Sequence, residues 1–302
     1  MQISILCERF CDYSISIRGQ SKATIRRYRY VIGCFCQFTN ITELSQVTDE
    51  KVRGLFYYGR IERKWSVNTF IVYHVSLLVF FRWCVKQGFM SKNPICDIEK
   101  PKLEKKLPTK LTKQNALRLL EVVNNYPYDC KFLRYRNHAI FATFIFAGLR
   151  KQELLNLKFS DVDMEGFTIF VRQGKGNKDR IVPISYTLAQ SLKRYMDERK
   201  RLNKTCPEFF ASLIQNVGYT EHGLKRLVTK MSIATGIKFS VHKLRHTFAT
   251  LMLEGGCDIF SLSKMMGHSD IKTTTIYLSA SAEHLRSQIT KHPMNDLYTQ
   301  NI

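Results

Sequence analysis

The sequence predicts a mainly α-helical chain with a small β-hairpin or sheet: an N-terminal all-α helical bundle followed by a larger α+β domain. Three observations carry this. Apolar residues recur at three- and four-residue spacings along most of the chain. Strict alternation appears in one place, where Phe167, Ile169 and Val171 alternate with Thr168 and Phe170. A lysine- and proline-rich tract breaks the periodicity about a third of the way along the 302 residues, a length that suits two domains of roughly 100–200 residues. The expected layout is 1–99, a basic linker over 100–112, and 113–302.

The first helix marked by pattern covers 21–38. Ser21 is its cap, and Ile25, Tyr28, Ile32 and Phe35 form one face. Arg26, Arg27 and Arg29 lie mostly off that face, suited to solvent or phosphate. A second helix follows Thr48, with Val52, Leu55 and Phe56 inward. A third spans 66–87 and stops at Gly88, reinforced by Asn93-Pro94. It is apolar nearly all round, from Ile71 and Val72 to Phe80 and Phe81, so it should be the central helix of the bundle.

Residues 100–113 hold six lysines, one glutamate and two prolines, an extended linker that either hangs in solvent or touches a phosphate backbone. Helical patterns resume over 113–124 and 137–146. The alternating segment and the run 180–184 then flank the turn-rich stretch 173–179 and form a hairpin. Further helices are expected over 187–201, 220–234, 242–254, 259–266 and 281–289.

Composition narrows the function. The longest apolar stretches, 75–81 and 141–149, fall short of the roughly 20 residues a membrane helix needs. The N-terminus has neither a basic leader nor a long apolar core, so no signal peptide is expected. Nine cysteines without a CxxC pair suit a reducing cytoplasm, as small core residues rather than disulfides. Lys and Arg number 47 against 25 Asp and Glu, a net charge of +22, and both halves share the surplus: 14 basic against 8 acidic residues over 1–99, and 33 against 17 beyond. Two basic modules suit a polyanion such as duplex nucleic acid.

Two motifs point to chemistry that the residues do not support. Gly174-Lys175-Gly176 begins like a dinucleotide loop, but Asp179 holds the third glycine position and a strand follows. His242 and His246 are spaced as in zinc proteases, but Lys243 stands where those need glutamate. No cofactor and no metal are therefore expected.

The remaining signals form a set: Gly148-Leu149-Arg150 with Glu153-Leu154, Gly174-Lys175-Gly176-Asn177-Lys178, His242-Lys243-Leu244-Arg245-His246, Met266-Gly267-His268-Ser269, and Tyr277 nine residues after His268. In this order the set resembles the tyrosine recombinase (phage integrase) family. The segment from Ser66-Val67-Asn68-Thr69 through Phe80-Phe81-Arg82-Trp83 to Lys100-Pro101-Lys102 is similar to the end of that family's SAM-like core-binding domain. The absence of an arm-binding domain before Ser21 looks most like Xer-type recombinases and small mobile-element integrases.

The resemblance implies an enzyme that cleaves and rejoins duplex DNA through a 3′-phosphotyrosine and a Holliday junction. It implies Tyr277 as nucleophile and Arg150 and Arg245 as a guanidinium clamp on the scissile phosphate. Planar, permanently charged groups suit the oxygens on which transition-state charge collects. It further implies Lys175 as general acid at a mobile turn, His242 as general base or phosphate-orienting group, and His268 as donor to a non-bridging oxygen. Glu153 is expected to steady Arg150. Its partners would be inverted-repeat core sites in double-stranded DNA and a homo- or hetero-tetramer of recombinases in the synapse, with no membrane. The segment 281–289 would pack on a neighbouring subunit or its own domain. The third helix lacks basic residues over 68–81, so its DNA contacts should be few or hydrogen-bonded through Asn68, Thr69, Tyr73 or His74, with the arginines at 26–29 compensating. A type IB topoisomerase, or a catalytically silent DNA-binding protein on the same scaffold, are the alternatives.

Overall fold

A computed structural model describes residues 1–102, 108–172, 179–268 and 270–278. The chain forms two compact units, 1–105 and 106–302.

The first unit is all helical: α1 (Ile3–Ser16), α2 (Lys22–Thr39), α3 (Asp49–Ile61) and α4 (Val67–Lys86). Serine and threonine set three of the starts: Ser21, Thr48 and Ser66 each accept a hydrogen bond from the backbone amide three residues on. The first helix carries no such cap, and Ser21 is the earliest strong start signal, so helix α1 escapes a reading that begins from caps. Its core face, Ile3, Leu6, Cys7, Phe10, Cys11 and Ser14, nonetheless has helical spacing. Phe10 anchors the bundle, its ring 5.1 Å from Tyr28, 5.5 Å from Phe80 and 5.7 Å from Trp83.

Helix α4 is long and apolar enough to cross a membrane by length and composition alone, which the shorter apolar stretches did not foretell. Its side chains are instead used in packing: Phe70, Leu77, Phe80, Phe81, Trp83 and Cys84 are buried in the bundle, while Val72 is exposed. His74 and Tyr73 are buried too. The His74 ring nitrogen Nε2 lies 2.9 Å from the Ile98 carbonyl, so these two side chains do not offer the hydrogen-bonding surface expected of them. Asn93 closes the unit by accepting from the Ile95 amide at 3.1 Å and donating to the Leu78 carbonyl at 3.1 Å. Arg26 and Arg27 are exposed, whereas Arg29 pairs with Glu8. Of the nine cysteines, Cys7, Cys11, Cys84 and Cys206 are buried and Cys96 is exposed.

The second unit contains α5 (Lys113–Asn125), α6 (Lys131–Phe146), α7 (Lys151–Asn156), strands β1 (Val162–Asp163), β2 (Thr168–Val171) and β3 (Arg180–Pro183), then α8 (Tyr186–Arg201), α9 (Glu221–Thr235), α10 (Val241–Glu254), α11 (Ile259–Met266) and α12 (Lys272–Leu278). Helix α6 begins six residues before the apolar pattern does, because Arg136 and Asn137 are buried in its first half. Arg136 reaches the Ala211 carbonyl at 3.1 Å and lies 4.2 Å over the Tyr219 ring. Such a buried polar start is invisible to hydrophobic periodicity.

The sheet is antiparallel in the order β1-β2-β3, with Ile169 opposite Val182 and both buried. The expected hairpin is β2–β3, and β1 adds a two-residue edge strand. The Lys110 ammonium, a linker group expected to face solvent or a phosphate, is ion-paired with Glu254. The turn 173–178 and the segment 281–289 lie outside the described residues, as does the middle of the linker (103–107). A separate apolar cluster of Phe248, Ala249, Leu253, Leu262, Met266 and Tyr277 ties α10, α11 and α12 together.

Candidate active site

The site is built around the turn that starts α7. Gly148 has φ of +60°, and a Cβ there would sit 2.2 Å from the Phe248 ring, so only glycine fits both the turn and the packing. This tight approach brings Arg150 to the N-cap of α7 in extended conformation. Glu153, one turn on, accepts from the Arg150 amide at 2.7 Å and from its guanidinium at 2.7 Å. The carboxylate thus fixes both the backbone and the side chain of Arg150. The other end of the guanidinium donates to the Gly267 carbonyl at 2.8 Å.

Glu153 is shared. Arg180 on β3 donates to its two oxygens at 2.8 Å each, and donates through Nε to the Met265 carbonyl at 2.7 Å. Burial opposes ionisation of Glu153, but the hydrogen bonds and charge of Arg180, with the bonds from Arg150, outweigh it and bring the carboxyl down to about 2. Sequence reasoning assigned no role to Arg180. The available signal was strand alternation: Arg180 shares a face with buried Val182, while Ile181 between them is exposed.

Arg245 lies one turn into α10 with its side chain 5 % exposed. It donates to the carbonyls of Gly148 and Met266, and its Nη2 lies 3.4 Å from Nε2 of His268. Burial and the neighbouring Arg150 charge lower its pKa to about 10, so it stays cationic at neutral pH. Main-chain oxygens from two separate turns hold this guanidinium in place without neutralising it.

His268 follows Gly267, which ends α11 in the left-handed conformation at φ +64°. Its Nδ1 is 2.7 Å from Oγ1 of the buried Thr274. Helix α12 then places Tyr277, buried at 2 % exposure, with its ring 6.5 Å from that of His268 and nearly parallel to it. Burial raises the phenol pKa above its ordinary value, and the charges of Arg245 and Arg150 offset that rise only in part. The Tyr277 hydroxyl is 2.8 Å from Nδ1 of His246. No role was assigned to His246 from sequence, although its position one helical turn after His242 puts both on one face of α10.

The structure thus brings Arg150, Arg245, His268 and Tyr277 together. His242 is exposed at the start of α10, its ring 6.1 Å from that of His246, and it lines one cleft with Arg150, Lys151 and Lys225. Lys175 lies outside the described residues. Two cations and two imidazoles thus surround one tyrosine, and the imidazole of His246 contacts its hydroxyl. The arrangement is suited to binding an oxyanion beside a phenol that can be deprotonated.

Comparison with known proteins agrees with this geometry. The sequence profile of the phage integrase family matches residues 109–284, and that of the phage integrase N-terminal SAM-like domain matches residues 6–89. The chain is 31 % identical over 291 residues to tyrosine recombinase XerA of Pyrococcus horikoshii, covering 95 % of this chain and 93 % of that protein. It is 30 % identical over 305 residues to tyrosine recombinase XerD of Listeria monocytogenes, covering 98 % and 97 %. In fold it is similar to the XerH site-specific recombinase crystallised with a palindromic difH substrate, with a TM-score of 0.73 and 23 % identity over 94 % of this chain and 83 % of that one. With both halves matched in order and the full length shared at this identity, the chain belongs to the phage integrase family, as a tyrosine recombinase of the Xer type.

Proposed function

We propose that the chain is a site-specific recombinase that cleaves and rejoins double-stranded DNA at a core site, with Tyr277 as the nucleophile. The observation that carries the reading is the clustering of Arg150, Arg245 and His268 around Tyr277, whose phenol feels both arginine charges and whose ring lies 6.5 Å from that of His268, with the guanidinium groups fixed by Glu153 and the carbonyls of Gly148, Met266 and Gly267.

A scissile phosphate entering the cleft meets two guanidinium groups that are already oriented. Preorganised donors of this kind usually supply the largest catalytic contribution. The Tyr277 oxygen attacks phosphorus, the bond to the 5′-oxygen breaks, and a 3′-phosphotyrosine and free 5′-hydroxyl result. The phosphoester bond energy is retained, so rejoining needs no nucleotide. Lys175 supplies the proton to the leaving oxygen, and His242 and His268 face the non-bridging oxygens. His268 can donate there once its contact with Arg245 is exchanged for the phosphate.

The units 1–99 and 113–302 act as DNA-binding and catalytic domains joined by a basic linker. Two protomers occupy one inverted-repeat site, and two sites form a tetrameric synapse in the cytoplasm that exchanges strands in pairs. The test is Tyr277→Phe on a nicked suicide duplex carrying the core site. The variant should retain the DNA and form no covalent adduct; an adduct that persists refutes the assignment.

A further inference from the structure

The exposure of His242 and the contact made by His246 divide two roles between two histidines. The imidazole of His246 lies within hydrogen-bond distance of the Tyr277 hydroxyl, at 2.8 Å through Nδ1. His242 sits one turn earlier with its ring 6.1 Å from that of His246, on the rim of the cleft that Arg150 also lines. We propose that His246 is the proton acceptor for Tyr277 in DNA cleavage and the proton donor to it in rejoining, leaving His242 to the phosphate. This rests on the reading of Tyr277 as nucleophile.

The step balances as follows. The phenolic O–H bond breaks and its proton moves to Nδ1 of His246, which begins neutral with its proton on Nε2. The oxygen forms the bond to phosphorus as the bond from phosphorus to the 5′-oxygen breaks. The 5′-oxygen takes a proton from the general acid. On rejoining, the 5′-hydroxyl loses its proton to that acid's conjugate base, and the imidazolium of His246 returns its proton to the departing phenolate.

The surroundings suit a base. Facing His246 are His242 and Arg245 from its own helix and Tyr277 from α12, with the His268 ring stacked at 6.5 Å from the tyrosine ring and the charge of Arg150 also acting on the phenol. Burial, then the charges of His242 and Arg245, hold the imidazole below the ordinary histidine range, so it is neutral at neutral pH and free to accept. The same two arginines favour the phenolate. Burial nonetheless leaves the phenol above its ordinary value, so it is the 2.8 Å contact that carries the assignment: the imidazole is already in place to take the proton as the oxygen bonds to phosphorus.

The test is single-turnover cleavage of a nicked suicide duplex by His246→Asn, with DNA retention measured in parallel. Asparagine keeps a polar atom near Nδ1 and has no basicity. A second substrate carries sulfur in place of the bridging 5′-oxygen, so that the leaving group needs no proton and the general acid drops out. His246→Asn should slow cleavage by about 10² or more on both substrates, and should lose the decline at acid pH that the wild type shows. In His246→Ala, added imidazole should restore part of the rate.

Full-rate cleavage by His246→Asn with an unchanged pH profile overturns the proposal, as does faster cleavage, which would make the contact a restraint on the tyrosine. Should neither variant fold, a wild-type rate on the sulfur substrate that shows no acid-side decline down to the pH at which the protein unfolds overturns it equally. Tyr277→Phe separates the two readings. An adduct persisting there refutes the nucleophile, whereas a lost adduct with an indifferent His246→Asn refutes only the base.

Discussion

Replacing Glu153 by Gln removes one charge from the centre of the site and leaves its volume unchanged. The carboxylate is 6 % exposed and accepts four hydrogen bonds, two from Arg150 and two from Arg180, with an Nη of Arg245 at 3.9 Å. Glutamine offers one oxygen, and its amide N–H groups point donors at donors. The carboxyl lies at about 2 in the folded chain against an ordinary 4.5, and each unit corresponds to about 1.4 kcal/mol, so the charged form contributes about 3 kcal/mol of folding free energy at neutral pH.

Because the folded pKa is depressed, this contribution is complete above about pH 4.5 and is lost as pH falls through about 2. Urea unfolding of the C-terminal unit, followed in wild type and Glu153→Gln from pH 7 downward, reads it. At pH 7 the variant should be less stable by about 3 kcal/mol, equivalent to roughly 6–12 °C in Tm for a unit of this size, and the gap should narrow below about pH 4.5. A gap that stays constant with pH, or no gap at pH 7, would refute the view that Glu153 is the charged keystone of the arginine cluster.

Three further outcomes are expected. Gly148→Ala meets both a left-handed φ of +60° and the Phe248 ring; it should destabilise the C-terminal unit by about 1–3 kcal/mol and reduce adduct formation by displacing Arg150, and calorimetry with a cleavage assay checks both. Phe10→Ala opens a hole beside Tyr28, Phe80 and Trp83; it should cost about 3–5 kcal/mol, confined to the N-terminal unit's own unfolding transition. Replacing Lys102, Lys105, Lys106 and Lys110 together should weaken DNA binding and flatten its salt dependence by up to about 0.9 per lost phosphate contact. Lys110 should contribute least, since Glu254 already pairs with it, and a titration slope that does not change refutes a wrapping role for the linker.

The sequence revealed what periodicity and caps encode. Ser21, Thr48 and Ser66 announce helices because a short oxygen side chain satisfies an end amide, and Gly88 and Gly267 mark where helices stop. Helix α1, uncapped, and the first turns of α6, with buried Arg136 and Asn137, break those rules and went unseen. Helix α12 escaped because its seven residues bury only Thr274 and Tyr277, too few for a periodic signal.

The site shows the same division. Arg150, Arg245, His268 and Tyr277 stand out by motif, and the fold gathers them. What motif spacing could not supply is which groups hold the gathered ones: Arg180 arrives from a strand 27 residues after Glu153, and His246 acquires meaning only through a contact with Tyr277 31 residues later. Helical and strand geometry narrow such contacts to a face, and tertiary packing selects the partner.

The central claim is that Tyr277 becomes covalently joined to the 3′ end of a cleaved strand. The most direct measurement is to trap wild-type protein on a nicked suicide duplex, digest protein and DNA, and locate the modified peptide by mass spectrometry. The account predicts a nucleotide remnant on the peptide containing Tyr277, linked through a 3′-phosphate, with a free 5′-hydroxyl on the released strand. A remnant on any other of the 14 tyrosines, or one linked to a 5′ end, would contradict it.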